Sequence, residues 1–251
     1  MEKEEQIFRN RMRELAETAY RRDIPTHTGF LNLNEQTVFC SAAGSFPPVK
    51  YEMTGGYEAA ERKVVCFLPS YEEVLQEPPF DCLELSAKQK KFAEELNHRD
   101  YLGAVMSLGI QREVIGDIMV SGTDAYIFVL KTMSSYLLEH LVSVRHTSVS
   151  AELCRDLSSL PPPAYTEVQG SVSSLRLDAL TALAGRISRT KALELIEGEK
   201  VFINGQLMVS ASRQVREGDI LSVRGLGKFR FAGEGATTKK GRTMVTLWQY
   251  K

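Results

Sequence analysis

The chain has 251 residues, 43% hydrophobic and 25% charged, with a formal net charge of -1; that is enough for one large domain or two ordinary ones, each with its own core. No stretch approaches the roughly 18 apolar residues of a membrane span, and the acidic start MEKEEQIFRN is the wrong chemistry for a secretory signal, so a cytoplasmic protein with no membrane partner is expected. Cys40, Cys66, Cys82 and Cys154 form no CxxC pair, which argues against a zinc site or a disulfide framework and for reduced, mostly buried thiols.

In chain order, residues 2–22 return Ile7, Phe8, Met12, Leu15, Ala19 and Tyr20 near a 3.6-residue period, an amphipathic helix that Pro25 ends. The runs 63–69, 81–87, 116–120 and 125–131 are short and β-rich, while 88–97, 100–108 and 132–142 read as helices, with Asp100 as a cap and Gly109 as a stop. The expectation is an α+β region over residues 1–155, helical over about 1–60 and an RRM-like α/β sandwich over about 61–155. No aromatic RNP1 pattern is legible in it. The neighbours His98, Arg99 and Asp100 invite an acid-base reading, but three consecutive side chains do not face one substrate, and Asp100 has a helix to cap.

Residues 156–171, DLSSLPPPAYTEVQGS, string serines, three prolines and a glycine together and read as a linker. Charge changes across it. Residues 171–251 hold 14 Lys and Arg against 7 Asp and Glu, leaving 17 against 25 in residues 1–170. A basic module of net +7 behind an acidic body suggests a polyanion partner, although a merely solvated basic face has the same composition.

After the linker, LRLDALTALAGRI is a one-faced helix with Arg176 beside its start. A second helix begins at Ser188, whose hydroxyl can accept from the amide of Thr190 or Lys191, and Gly198 closes it. Free amides, the positive dipole end, Arg189 and Lys191 then share one turn, which suits a phosphate. VFING carries Asn204-Gly205, the pair that favours a type I′ hairpin turn, and REGDILSVRG is a turn followed by a strand.

At these residues the sequence resembles the S4 RNA-binding domain. Arg176 to Asp178, Gly185, Ser188, Arg189, Ala192, Leu195, Ile196, Gly198, Val201, Asn204, Gly205, Gly218 and Asp219 occur in the family's order. Where that family often has Lys-Pro-Ser after Asn-Gly, this chain has VSASR, so the cation there is Arg213. The runs GGYEAAERK, LNHRDYLGAVMSLGIQREVIGDIMV, VRGLGKFRF and TKKGRTMVTLWQYK resemble the YlmH family of bacterial S4 proteins over nearly the whole chain. That resemblance implies an α+β N-terminal region followed by an S4 (αL-type) domain at 172–251 with a C-terminal β extension. It also implies a ribosome-associated quality-control factor acting on obstructed large subunits that carry peptidyl-tRNA. The partners would be large-subunit ribosomal RNA and tRNA or peptidyl-tRNA, bound by a monomer.

The candidate RNA-binding residues are Arg176, Arg186, Ser188, Arg189, Lys191, Lys200, Asn204, Arg213, Lys228, Arg230, Lys239, Lys240 and Arg242. Lys228 and Arg230 alternate with Phe229 and Phe231, which gives one cationic and one core face of a strand. TKKGR is a polar turn or a phosphate clamp, and Trp248 reads as sheet packing rather than a stacking platform. No metal spacing, Walker loop, dinucleotide fingerprint, nucleophile elbow or catalytic carboxylate pair occurs, so neither a cofactor nor an enzyme is expected. Two rivals stand beside the rescue reading. One is a ribosome-assembly or translational-control factor with the same RNA module. The other is a pseudouridine-synthase-like enzyme, because RLDALT superficially matches that catalytic run, with Asp178 as nucleophile.

Overall fold

The computed structural model describes residues 2–162, 165–239 and 241–250, and the chain divides into two units, Met1–Pro162 and Pro163–Lys251. The first begins with α1 (Glu2–Arg22), whose periodic stripe buries Met12, Ala16 and Ala19. Strand β1 (Thr26–His27) follows, then α2 (Leu33–Ala42), held at its start by a reciprocal capping box between Asn32 and Glu35. Next come β2 (Tyr51–Thr54) and β3 (Val64–Phe67), and the three strands pair antiparallel in the order β1-β3-β2. The part of the chain expected to be only helical thus includes sheet. Strand β3 is buried along its whole length, and Val65 and Phe67 pack with Phe39 and the α1 stripe.

The rest of the unit is built from β4 (Phe80–Ala87), α3 (His98–Ser107), β5 (Ile115–Ser121), β6 (Asp124–Leu130), α4 (Lys131–His140), β7 (Ser143–Val144) and β8 (Thr147–Leu153). The main elements run β-α-β-β-α-β and the sheet order is β5-β6-β4-β8-β7, a split βαβ arrangement. Residues 88–97, expected as a helix, contain only a 3-10 turn at Lys90–Phe92. The α3 cap is Asn97, whose side chain accepts from the Arg99 amide, while Asp100 reaches back to the Asn97 amide. Asp100 is therefore the returning half of a capping box, and its acid-base reading falls away.

One face of this sheet buries Leu83, Leu85, Ile127 and Val129 against the residues of α3 and α4. The opposite face carries Phe80, Cys82, Tyr126 and Phe128, and these are covered by Phe30, Tyr57, Val64 and Cys66. The Phe30 and Phe80 centroids lie 5.1 Å apart, and Tyr57 stacks on Phe128 at 5.6 Å. A partly buried polar tie runs through the same seam. Tyr57 Oη and the Glu61 amide each donate to Asp117 at 2.7 Å, the Arg62 amide donates to it at 3.1 Å, and Arg62 Nε donates to the Ile115 carbonyl at 2.9 Å. Burial lowers the Arg62 pKa, and burial followed by the charge of Arg62 lowers that of Arg112 to about 10. Both guanidinium groups stay charged at neutral pH. Of the cysteines, Cys66 and Cys82 are buried, Cys154 is half-buried and Cys40 is exposed.

The second unit opens with β9 (Tyr165–Val172) and continues with α5 (Leu177–Gly185), α6 (Arg189–Glu197), β10 (Val201–Ile203), β11 (Gln206–Leu207), β12 (Ile220–Val223), β13 (Gly227–Thr237) and β14 (Thr243–Tyr250). All six strands form one antiparallel sheet in the order β11-β10-β12-β13-β14-β9. Of the stretch expected as a linker, residues 165–171 lie in β9, which pairs with β14 from Tyr165↔Tyr250 to Val172↔Thr243. Pro161 and Pro162 lie outside strand. The sheet's inner face buries Val168, Val172, Phe229, Phe231, Val245 and Leu247 together with Leu177, Leu180 and Ile196 of the two helices. Burying each phenylalanine stabilises the unit by about 1.5–3 kcal/mol. At Gly170 a Cβ would lie 2.3 Å from Leu183 Cδ1, so a side chain there would force the Leu183 side chain of α5 to move.

Candidate nucleic-acid interface

The start of α5 is closed by its own domain's backbone. The Leu177 amide donates to the Arg213 carbonyl at 2.8 Å and the Asp178 amide to the Ala211 carbonyl at 3.2 Å. The VSASR loop therefore lies against this turn, which places Arg213 beside Arg176, itself bridged to Gln214. From the same turn Asp178 points inward. It is 4% exposed and accepts from Arg176 Nε at 3.1 Å and from Arg189 Nη2 at 3.0 Å. Both guanidinium groups are about half exposed. The carboxylate thus fixes two cations from different helices while leaving much of each open to water.

Helix α6 starts as its sequence indicates, with Ser188 Oγ accepting from the Lys191 amide at 3.1 Å. That serine oxygen is committed to the cap, so its role is to shape the turn that carries Arg189 and Lys191. Lys191 Nζ pairs with Glu194 at 2.8 Å on an exposed surface. Arg176, Ser188, Arg189, Lys191 and Arg213 are brought together around the two helix starts.

The other candidates are placed elsewhere. Arg186 is the exposed, left-handed cap of α5, with φ 50°. Lys200 follows the far end of the nine-residue α6, about 13 Å from its start, where its carbonyl accepts from the Arg224 amide. Asn204 and Gly205 have φ of 49° and 77°, the two positive angles of a type I′ turn. The Asn204 amide group is spent within the fold: Nδ2 donates to Asp219 at 2.8 Å and Oδ1 accepts from the Ile220 amide at 2.8 Å. This locks the hairpin to the Gly218-Asp219 turn and gives Asn204 a structural role in the fold.

Lys228 and Arg230 lie on the outer face of β13, opposite the inward Phe229 and Phe231. Lys239 is exposed in the β13–β14 turn. Lys240 lies outside the described residues. Arg242 Nε donates to Ser171 Oγ at 3.0 Å, and its Nη2 donates to the Ser171 carbonyl, so it pins that turn to β9.

A second basic surface, in the first unit, carries no sequence motif. The end of β4 meets the tight β7–β8 turn, where the Lys88 amide donates to the Ser148 carbonyl at 3.0 Å. A shallow cleft there is lined by Lys88, Gln89, Ala93, His146, Thr147 and Ser148. Arg145, with φ 52°, is held 3.4 Å from Asp100 in the first turn of α3, beside exposed Arg99. Lys88, Arg99, Arg145 and His146 come from three separate places in the chain, and only the sheet pairing and the capping box bring them to one end.

Comparison with known proteins bears on both surfaces. The family model described as "Putative RNA-binding domain in YlmH" matches residues 82–156, the split βαβ part of the first unit. The chain is 34% identical over 229 residues to the ribosome-associated protein quality control protein P2 of Bacillus subtilis (strain 168), covering 89% of this chain and 87% of that protein. A solved structure of the cell division protein ylmH from Streptococcus pneumoniae is similar in fold, with a TM-score of 0.51 at 19% identity, over 63% of this chain and 95% of that one. The sequence reading placed every candidate contact after residue 171. The family match lies entirely before it.

Proposed function

Because the chain belongs to the YlmH family, we propose that it is a non-enzymatic RNA-binding protein that docks on the large ribosomal subunit and acts on obstructed subunits still carrying peptidyl-tRNA. Its second unit serves as an S4 domain: two short helices against a small sheet, with the ordered matches from Arg176 to Asp219 running through both helices and the hairpins that follow. The name of the Bacillus subtilis relative supports the quality-control role.

The observation that carries this reading is the buried Asp178 carboxylate, which holds Arg176 and Arg189 side by side next to Lys191 and Arg213. Fixed, half-exposed cations in a unit of net +6, with 14 Lys and Arg against 8 Asp and Glu over residues 163–251, suit a phosphate backbone better than mobile surface lysines, because less side-chain entropy is lost on contact. With 4% exposure and both oxygens engaged, Asp178 acts in positioning rather than as a nucleophile.

The test is co-sedimentation of the intact protein with empty large subunits and with large subunits loaded with peptidyl-tRNA. Preferential recovery with the loaded particles is expected. Equal recovery with both removes the rescue role and leaves a ribosome-assembly factor as the better description. Recovery with neither overturns ribosome docking itself.

A further inference from the structure

The outer face of the second sheet is the part of this unit that the S4 motif does not reach. Its inner face is filled by α5 and α6, but β9, β13 and β14 turn a second row of side chains away from that core. Arg230, Trp248 and Glu167 are cross-strand neighbours in that row. Tyr165, diagonal to Trp248, stacks on it with centroids 4.7 Å apart and planes 19° from parallel, and Tyr165 is 45% exposed. The Arg230 guanidinium stands 5.8 Å from the Trp248 centroid, and Lys228 lies two residues before it on the same face.

We propose that Tyr165 and Trp248 form a stacking platform for an unpaired nucleotide of the bound RNA, with Arg230 and Lys228 receiving the adjoining phosphates. The inference rests on the RNA-binding reading above and adds a second mode of contact to it. Two aromatic rings already held parallel lose little entropy when a base extends the stack over the open face of Tyr165, and every base offers a π-face. Charge sets the direction of the strand. Glu167 beside Trp248 repels a phosphate on the β9 side, whereas the β13 side presents two cations. A strand whose base stacks on Tyr165 therefore leads its following phosphates across Trp248 toward β13. A duplex hides its base faces and gains nothing from the rings. Reading Trp248 as sheet packing alone misses that its stacking partner is Tyr165, from a stretch that reads as linker.

Trp248 is the single tryptophan of the chain, so its emission reports on the platform directly. The full-length protein is titrated with a short single-stranded RNA carrying a terminal fluorophore and, separately, with the corresponding duplex, and both label anisotropy and tryptophan emission are followed. Single-stranded RNA should quench Trp248 with the same midpoint as the anisotropy change, and duplex should raise anisotropy without quenching. Tyr165→Ala should weaken single-strand binding about tenfold while leaving duplex binding alone, and Tyr165→Phe should restore it. Binding of single-stranded RNA with unchanged tryptophan emission, or a Tyr165→Ala protein that binds it like the parent, overturns the platform and leaves RNA binding standing. Failure of both RNAs to bind overturns the RNA-binding reading together with the platform.

Discussion

Arg189 reaches from the first turn of α6 to place Nη2 3.0 Å from Oδ2 of Asp178, whose carboxylate is 4% exposed and is also held by Arg176. A carboxylate this buried is tolerated because two cations compensate it, and the cations are ordered because it is buried. Asp178→Asn should lower the stability of the C-terminal unit by about 1–3 kcal/mol in urea unfolding. It should also weaken RNA binding, even though the change removes a negative charge. Tighter binding would show that charge outweighs positioning here. Neither protein should form pseudouridine on ribosomal RNA fragments, and its appearance would reinstate an enzymatic role.

Lys191 and Arg189 share a turn but differ in what their loss leaves behind. The Lys191–Glu194 pair is exposed, so Lys191→Ala should leave the thermal melt unchanged while flattening log K against log salt by about 0.7–0.9. Arg189→Ala should flatten the slope to a similar degree and also lower the melting temperature, because Asp178 then keeps one partner. An unchanged slope in both variants would take these residues out of the interface.

At the basic end of the split βαβ sheet, Lys88→Glu combined with Arg145→Glu should weaken RNA binding at least tenfold at low salt, because each reversal turns a phosphate attraction into a repulsion. Both side chains are exposed, so circular dichroism should stay close to the parent, but Arg145→Glu takes away the partner of Asp100 and sets a carboxylate beside it, so the melt should fall modestly. Undiminished affinity would mean that RNA contacts residues 82–156 on another face.

Where the second unit is cut should decide whether it folds. A 163–251 fragment keeps β9 and should fold and bind RNA. A 171–251 fragment loses nearly all of β9, takes Val168 out of the core and leaves β14 as an unpaired edge. Heteronuclear NMR of the two fragments should show a dispersed spectrum for the first and a collapsed or aggregating one for the second. Equal dispersion would reduce β9 to an accessory strand.

The thiols should separate by environment. Burial, with a smaller contribution from Glu52, pushes Cys66 up from 9.0 to about 12, and burial first and Cys154 second push Cys82 up further still. Cys40 is exposed and should react with an aromatic disulfide reagent at pH 8 within the mixing time, with Cys66 and Cys82 protected until unfolding. The folded state holds thiol protons that the unfolded chain releases above about pH 9. That stabilisation is complete below pH 9 and is lost as pH rises toward 12, so the melting temperature should fall across this window. A flat melt from pH 8 to 11 would contradict the burial of these thiols.

Much of the second unit is legible in the order of its residues. Ser188 before Arg189 and Lys191 specifies a capped helix start, Asn204-Gly205 specifies a turn with two positive φ angles, and the Lys228 to Phe231 alternation specifies one buried and one cationic face. Each is a signal between residues a few positions apart, where backbone geometry alone decides the outcome. Residues 88–97 show the limit of such signals. Their lysines and glutamates are good helix formers, but the chain forms only one 3-10 turn there before the Asn97 cap begins α3. Composition likewise suggests a linker across 156–171, since it cannot register that Val168 and Val172 have a partner strand some 75 residues away in the chain.

By itself the sequence determined the charge division between the two parts, the helix starts and hairpin turns of the second part and the family of the chain, because all of these depend on local chemistry or on ordered short motifs. Only the tertiary structure decided which cations act together. It joined Arg176 and Arg189 on Asp178 with the Arg213 backbone against the same turn, separated Lys200 from them, tied Asn204 to Asp219, gathered Lys88 and Arg145 at one sheet end, and set Tyr165 against Trp248. These are consequences of strand register and helix packing, which depend on pairings between distant residues, and a side chain's use as ligand or strut is fixed by the neighbour that those pairings supply.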